Sequence, residues 1–420
     1  MPPNELKEWQ TGKLCKLLCH ARDTTRFYGP LIPQRFAPSE SWDMLSSLPI
    51  VTKHMIDADP DAFFSSAYSQ EQSWAGATSG TTGLALAFWM DRSRRARVLA
   101  ELAYFGGWGG YEIGERHMFL RPAYSSVPKS KVDLWARNQV LVDAGRLNDA
   151  KLSDIVQLLV HSRARVLFGY SWTIESLAAF LRRSGQHAFG PRSELRAIIS
   201  IGGPLTGISK ARVEEILGCS VYERYSASEV GTIAGECEMR RLHLNVGSVH
   251  TEFMPAETTR LPADGQPETL LVTDLCNRAM PFLRYDLRDA VRLDEGECRC
   301  GRRSPLIGAI HGRAMEQVVT PEGEWIDPVC IANLLKTITA IRHFQFTQET
   351  VSDYVVRVVP SNGFGGHTLR EIAERYRRLL GPTADVEVRV VDEIPLMPSG
   401  KRQFVINKLR EIEASKLRPT

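Results

Sequence analysis

Several features that would place a chain at a glance are missing from these 420 residues. No apolar run reaches the ~18 residues a membrane-spanning helix needs. The N-terminus, "MPPNELKEWQTGKLCKLLCHARDTT", lacks the apolar centre of a secretory leader. Eight cysteines are too few for a disulfide scaffold, so they read as thiols or metal ligands in a reducing, cytoplasmic setting. No long basic block occurs and the formal net charge is only +3, so neither nucleic acid nor a membrane is expected as a partner. Internal repeats and low-complexity segments are absent. So are the two familiar nucleotide fingerprints, G-x-x-x-x-G-K-[ST] and G-x-G-x-x-G.

What is present is an ordinary globular composition, 43% apolar and 24% charged, in a chain long enough for two or three domains. The first 310 residues alternate strand-like and helix-like pieces. "RARVLFGYS" (163–171) and "ELRAIISIGG" (194–203) read as buried strands. "TIESLAAFLRRSG" (173–185) and "SKARVEEILG" (209–218) read as helices closed by glycine. That order predicts βαβ units and a mostly parallel sheet, with ligands at the carboxyl ends of its strands. After about residue 315 the pattern changes. "HFQFTQE" and "DYVVRVVP" look like paired strands, "TLREIAERYRRLLG" (368–381) like an amphipathic helix, "DVEVRVV" (385–391) like a half-exposed strand and "NKLREIEASKL" like a last helix. This predicts a small α+β domain, with a boundary near "HGRAM" (311–315).

"ATSGTTG" (77–83) packs glycines and hydroxyls into one loop. Glycines let backbone N–H groups approach phosphate oxygens, and Thr78, Ser79, Thr81 and Thr82 add donors. The plain alternative is a polar hairpin turn. Three further motifs bear on the choice. In "VYERYSASEVG" (221–231), Tyr225 suits stacking on a base and Glu229 suits Mg²⁺. In "FLRYDLRDAVRL" (282–293), Asp289 suits a pair of ribose hydroxyls. "IPLMPSGKRQFVINK" (394–408) presents Lys401 on a turn. Taken singly, each also reads as a core aromatic, a salt-bridge partner or a solvated cation.

In this order and spacing the four motifs resemble the adenylate-forming (acyl-AMP) ligase superfamily, on the branch of phenylacetate–CoA ligases and the CapK and coenzyme F390 synthetase-like proteins. The resemblance covers nearly the whole chain. It implies a large N-terminal α/β domain (1–313) binding ATP and acid, and a small mobile C-terminal domain (314–420) bearing the catalytic lysine. It places Thr78, Ser79, Gly80, Thr81, Thr82 and Gly83 around the β- and γ-phosphates, and Gly202, Gly203 and Pro204 against adenine. It places Glu223 at the adenine amino group, Tyr225 on the base, Ser228 near the α-phosphate and Glu229 on Mg²⁺. Arg224 belongs to the same nucleotide-binding motif. Asp289 falls on the ribose and Arg313 at the domain junction. Lys401 falls where a mobile-domain lysine neutralises charge as the carboxylate attacks. Mg²⁺ and a lysine would counter the like-charge repulsion of that step.

Two cysteine-bearing pieces, "GECEMRRLHLNVG" and "GECRCGRRSP", supply Cys237, His243, Cys298 and Cys300, a set suited to structural zinc. Ordinary buried thiols and a surface histidine are the plain alternative. The family pattern breaks after "GR": here the text is "GRAMEQVVTPEGEWIDP", with Met315 at the first hinge position, Glu316 as the acidic survivor and no usual glycine loop. That leaves the acceptor open among CoA, an amine and a carrier-protein thiol. Trp108, Tyr111, Tyr170 and Trp172 lie where the family lines its acid site and suit an aryl or bulky acid, or else simply fill the core. The expected activity is ATP-dependent acyl-AMP formation with pyrophosphate release, then transfer to the acceptor. The competing expectations are an adenylyltransferase that leaves AMP on a hydroxyl, and a zinc-stabilised nucleotide-binding protein without turnover.

Overall fold

The computed structural model describes residues 3–77, 86–121, 130–144, 147, 149–185, 193–203, 205, 207–255, 268–294, 296–313, 318–322, 325–326, 331, 334–335, 338, 340–395 and 405–409. Outside them lie Thr78 to Gly83, Pro204, Met315, Glu316, Lys401 and nearly all of the expected last helix, together with the side chains of Trp172 and Arg313.

Strands β1 (Trp74–Ala77) and β2 (Ala87–Met90) form an antiparallel hairpin in the register Trp74↔Met90 to Ala77↔Ala87. The glycine- and threonine-rich segment therefore joins two paired strands. Its nine residues, 78–86, exceed the about two to five of a tight hairpin loop.

The main sheet is mixed. Its order is β10-β11-β12-β13-β9-β8-β7-β6-β5-β3-β4. The parallel half comprises β3 (His117–Arg121), β4 (Gln139–Asp143), β5 (Val166–Tyr170), β6 (Ala197–Ile201) and β7 (Ser220–Ala227). The expected helices follow its strands at Ser171–Arg183 and Gly207–Leu217, and Gly185 and Gly218 take positive φ just past their ends. Continuous apolar runs such as "AIISI" are buried along their whole length, as a sheet covered on both faces demands. Met118, Leu120, Leu167, Ile198 and Val221 pack on one face against Leu152, Ile155, Leu177, Leu181 and Ile216 of the helices. Phe119, Phe168, Ile199 and Tyr222 form a second layer on the other face with Tyr111.

Strand β7 is parallel to β6 and antiparallel to β8 (Gly231–Glu236). The antiparallel half continues through β9 (Leu242–Leu244), β13 (Leu306–Arg313), β12 (Tyr285–Asp294), β11 (Glu268–Asp274) and β10 (Val249–Pro255). Its core is shared with the N-terminal helix Pro3–Thr24 through Leu14, Leu17, Leu18, Leu270, Val272 and Phe282. Arg284 ties the N-terminal region down. Its guanidinium pairs with Glu252 at 3.0 Å and donates to the carbonyls of Ser46 and Leu48 at 2.8 and 2.5 Å.

A separate apolar core draws on residues from Val318 onward. It holds two short paired strands, β14 (Val318–Val319) and β15 (Trp325–Ile326), beside a four-stranded sheet. In that sheet β16 (Ile341–Gln348) and β17 (Asp353–Pro360) are antiparallel, and β18 (Asp385–Val390) and β19 (Val405–Asn407) pair parallel on the two outer sides. Ile372, Tyr376 and Leu380 of the helix Gly366–Leu380 cover it, one turn apart on one face. Among the described residues no helix is long and apolar enough to cross a membrane.

Candidate functional site

Strand β7 brings the stretch "VYERYSASEVG" to the seam between the two halves of the sheet. Successive side chains alternate across a strand, so Glu223 and Tyr225 face one way and Tyr222 and Arg224 the other. The Tyr225 hydroxyl donates to Asp289 Oδ2 at 2.5 Å. Asp289 stands on β12, with Arg313 of β13 as its cross-strand partner. Tyr225 and Asp289, 64 positions apart in the chain, thus meet at one place. At the carboxyl end of β6, Gly202 takes φ +78°, a left-handed conformation that suits glycine, and Gly203 follows. The backbone N–H of Leu205, just past this turn, donates to Glu223 Oε1 at 3.2 Å. Burial pushes the Glu223 carboxyl up to about 7, against the pull of Lys210 and with a further push from Glu236. Lys210 is engaged by both Glu236 oxygens at 2.6 Å.

Beyond the β7 end, Ser228 is exposed and Glu229 is buried. The Tyr285 hydroxyl donates to Glu229 Oε1 at 3.0 Å. The turn behind Glu229 is clamped by a buried ionic group that the sequence motifs do not reveal. Arg94, fully buried on the helix Arg92–Trp108, donates through Nε to Asp274 at 2.6 Å, through Nη1 to Glu101 at 2.8 Å and through Nη2 to the Val230 carbonyl. Glu101 also accepts from the Thr232 backbone N–H at 3.2 Å. Gly231 has φ +72°, and a Cβ there would lie 2.8 Å from both Arg94 Nη2 and Glu101 Oε2. Glycine is therefore required twice over, by conformation and by space.

The second constellation lies where the β8–β9 turn meets the β12–β13 turn. Register His243↔Leu306 brings the two together. Ligand atoms of Cys237, His243, Cys298 and Cys300 all lie within 4.8 Å of one another. Cys237 Sγ is 3.6 Å from Cys298 Sγ, and Cys300 Sγ is 3.3 Å from His243 Nε2. A tetrahedral zinc with bonds of about 2.3 Å to sulfur sets ligand atoms roughly 3.8 Å apart, so the set has the required span. His243 Nδ1 meets Ser304 Oγ at 3.1 Å, leaving Nε2 turned to the cluster.

Of the four aromatic residues read as acid-site walls, three have described side chains, those of Trp108, Tyr111 and Tyr170. Trp108 lies edge-on to His243, with ring centroids 5.7 Å apart, and Arg302 stacks on it at 4.3 Å. It belongs to the cysteine–histidine cluster. Tyr111 is packed against His117 and Phe168, in the layer beneath the strand ends. Tyr170 is the last residue of β5, at the carboxyl edge.

Residues 318–408 match the model of the CapK C-terminal domain family. Protein CapK of Staphylococcus aureus is 22% identical over 418 residues, spanning 97% of this chain and 90% of its own length. A phenylacetate-coenzyme A ligase of Thermus thermophilus is 25% identical over 221 residues, 47% of this chain and 48% of that one. Among solved structures, 2-hydroxyisobutyryl-CoA ligase in the postadenylation state superposes with a TM-score of 0.75 at 20% identity, over 99% of this chain and 92% of its own. The fold is that of this CoA ligase, with both its larger and its smaller part matched. In sequence the chain is similar to CapK along nearly its whole length and to the phenylacetate-coenzyme A ligase over about half of it.

Proposed function

We propose that the protein activates a carboxylic acid with ATP and passes the acyl group to CoA. In the first step a carboxylate oxygen bonds to the α-phosphorus, the bond from that phosphorus to the bridging oxygen breaks, and pyrophosphate leaves with the electron pair. In the second, the thiol sulfur of CoA attacks the acyl carbon, loses its proton and displaces AMP. The observation that carries this reading is the Tyr225–Asp289 hydrogen bond, which joins the base-stacking and ribose positions of the family motifs. Glu229, held by Tyr285, is the residue assigned to Mg²⁺, which would supply charge neutralisation at the phosphates. Thr78 to Gly83, carried between β1 and β2, are assigned to the β- and γ-phosphates, and Pro204 to the adenine turn.

We further assign residues 1–313 and 314–420 to two domains, the second bringing Lys401 to the reacting centre and withdrawing it for transfer. The separate apolar core after Val318 supports that division. Amine and carrier-protein thiols remain the other acceptors suggested by the altered hinge around Met315 and Glu316. A cytoplasmic setting goes with this reading. A screen of carboxylic acids for pyrophosphate release, with and without CoA, tests it. Acid-dependent release followed by CoA-dependent thioester is expected. AMP recovered on an alcohol, with no acid-dependent release, would show an adenylyltransferase instead.

Glu223 gives this site a pH signature. Its carboxyl titrates near 7, so it accepts a hydrogen bond from the adenine amino group as an anion above that value and carries a proton below it. KM for ATP should fall as pH rises through about 7. In Glu223→Gln that part of the dependence should vanish, leaving only the titration of ATP itself. The opposite sign holds for folding. A carboxyl raised in the folded state weakens stability as pH rises from the unfolded value towards 7, so Glu223→Gln should be relatively more stable at pH 8 than at pH 5. Superimposable KM profiles for the two proteins would remove Glu223 from adenine recognition.

We assign structural zinc to Cys237, His243, Cys298 and Cys300. Four protein ligands fill a tetrahedral ion, leaving no position for chemistry. Elemental analysis should find about one zinc per chain, and Cys300→Ser should lower both metal content and thermal stability. Freshly purified protein without zinc, or a Cys300→Ser protein with unchanged metal, would sink the assignment.

A further inference from the structure

The parallel strands end in a row of side chains that the nucleotide motifs do not use. Register pairs Leu120↔Gly169, Gly169↔Ser200 and Ser200↔Glu223 align one row across β3, β5, β6 and β7. The next row is Asp143, Arg121, Tyr170, Ile201 and Arg224, on the opposite face by the two-residue repeat. The Phe119–Arg121 contact, at 5.7 Å, shows that Arg121 and Phe119 share that face. Two cations thus flank a floor of Tyr170 and Ile201 about 14 Å wide, three strand spacings.

Each guanidinium keeps one nitrogen unpaired among the described residues. Nε of Arg121 and Nε of Arg224 are buried with no hydrogen-bond partner. Burial holds both below the ordinary arginine range, Arg224 at about 10, and the Tyr170 phenol is a favourable neighbour of each. Glu101 also lies within reach of Arg224, but that carboxylate is already committed to Arg94 and the Thr232 N–H. Asp143, the register partner of Arg121, is exposed on the edge strand, and leaving buried N–H groups unpaired is costly, so the two Nε positions flanking Tyr170 suit an anion that arrives from outside.

We infer that Arg121 and Arg224 bind a second acidic group on the substrate, so that the acid activated is a dicarboxylic or similarly doubly anionic one. The inference rests on the ligase reading, since the reacting carboxylate is assigned by it. It moves Arg224 from the nucleotide to the acid, on the face of β7 opposite Glu223 and Tyr225. It also sets a polar acid in place of the aryl acid that the aromatic residues alone suggested. Tyr170 remains in the site, as the phenol between the two arginines.

The test compares acids of equal length with and without a second carboxylate, in ATP–pyrophosphate exchange and in thermal shift with the acid alone. The wild-type protein should favour the diacid by at least about tenfold in kcat/KM. Arg224→Met should lose on the order of 10²-fold on the diacid while KM for ATP stays unchanged, because a site built around a polar group discriminates strongly by it. Arg121→Met should act in the same direction, and Arg224→Lys should recover part of the loss. Without substrate, Arg224→Met should melt at the same temperature as wild type or higher, since it removes a desolvated charge. A merely structural arginine would melt lower, and that result counts against the inference. Preference of the wild type for the monoacid would overturn it and leave the ligase reading standing. A raised KM for ATP in Arg224→Met, with the acid ratio unchanged, would return the arginine to the phosphates and overturn it too. A diacid-specific thermal shift, lost in Arg224→Met, with no exchange for any acid, would uphold the anion site and sink the ligase reading.

Discussion

Arg94→Met should destabilise the protein by about 3–5 kcal/mol, the usual cost of breaking a buried ion pair by removing one partner. The substitution keeps most of the side-chain volume but leaves Asp274, fully buried, and Glu101 as carboxylates without their cation. Burial already pushes Asp274 up despite Arg94, so its proton uptake would soften the loss at acid pH. The variant should therefore lie closest to wild type at low pH and furthest from it above pH 7. The effect also reaches the Glu229 turn, because the Val230 carbonyl loses its donor. Urea unfolding at two pH values measures all of this. A loss below about 1 kcal/mol would mean that the cluster contributes little beyond packing.

Lys401→Ala should reduce acid-dependent pyrophosphate release by on the order of 10²–10³-fold, the size expected when one group that stabilises transition-state charge is removed. ATP binding should persist, because the nucleotide contacts assigned to Tyr225, Asp289 and Glu223 are made elsewhere in the chain. Transfer from preformed acyl-AMP to CoA should also persist if the lysine serves only the first step. Isothermal titration with ATP and single-turnover assays of the two half-reactions separate these effects. Unchanged pyrophosphate release in the variant would remove Lys401 from the mechanism.

Local signals carried much of the fold. Buried runs closed by glycine marked β5 and β6 and the helices after them, because strand, helix and stop are each written within a dozen residues. The helix Gly366–Leu380 was equally plain, since Ile372, Tyr376 and Leu380 recur at the helical period. The antiparallel strands from β8 to β13 gave less, as their pairing is set by partners tens of residues away. The site divided in the same manner. Tyr225 and Asp289 stand in recognisable motifs, yet their hydrogen bond spans 64 positions and only the fold reveals it. Arg94 and Asp274 are 180 positions apart, so nothing local marks either as half of a buried pair. Arg121 and Arg224 became significant through strand register, which counts residues across the sheet and not along the chain.

The helix Arg92–Trp108 touches both constellations. Near its start Arg94 holds the turn after Glu229, and at its end Trp108 lies against His243. Fourteen residues separate these anchors, about 21 Å at the helical rise. The helix is thus a gauge block: a whole number of turns, within a fraction, fixes the spacing and the relative facing of its two ends. One residue inserted between Arg94 and Trp108 would lengthen it by only about 1.5 Å but rotate one end by about 100° against the other. Either the guanidinium would leave its carboxylates or the indole would leave the cluster. Length variation, tolerated in a surface loop, is excluded from this segment by phase.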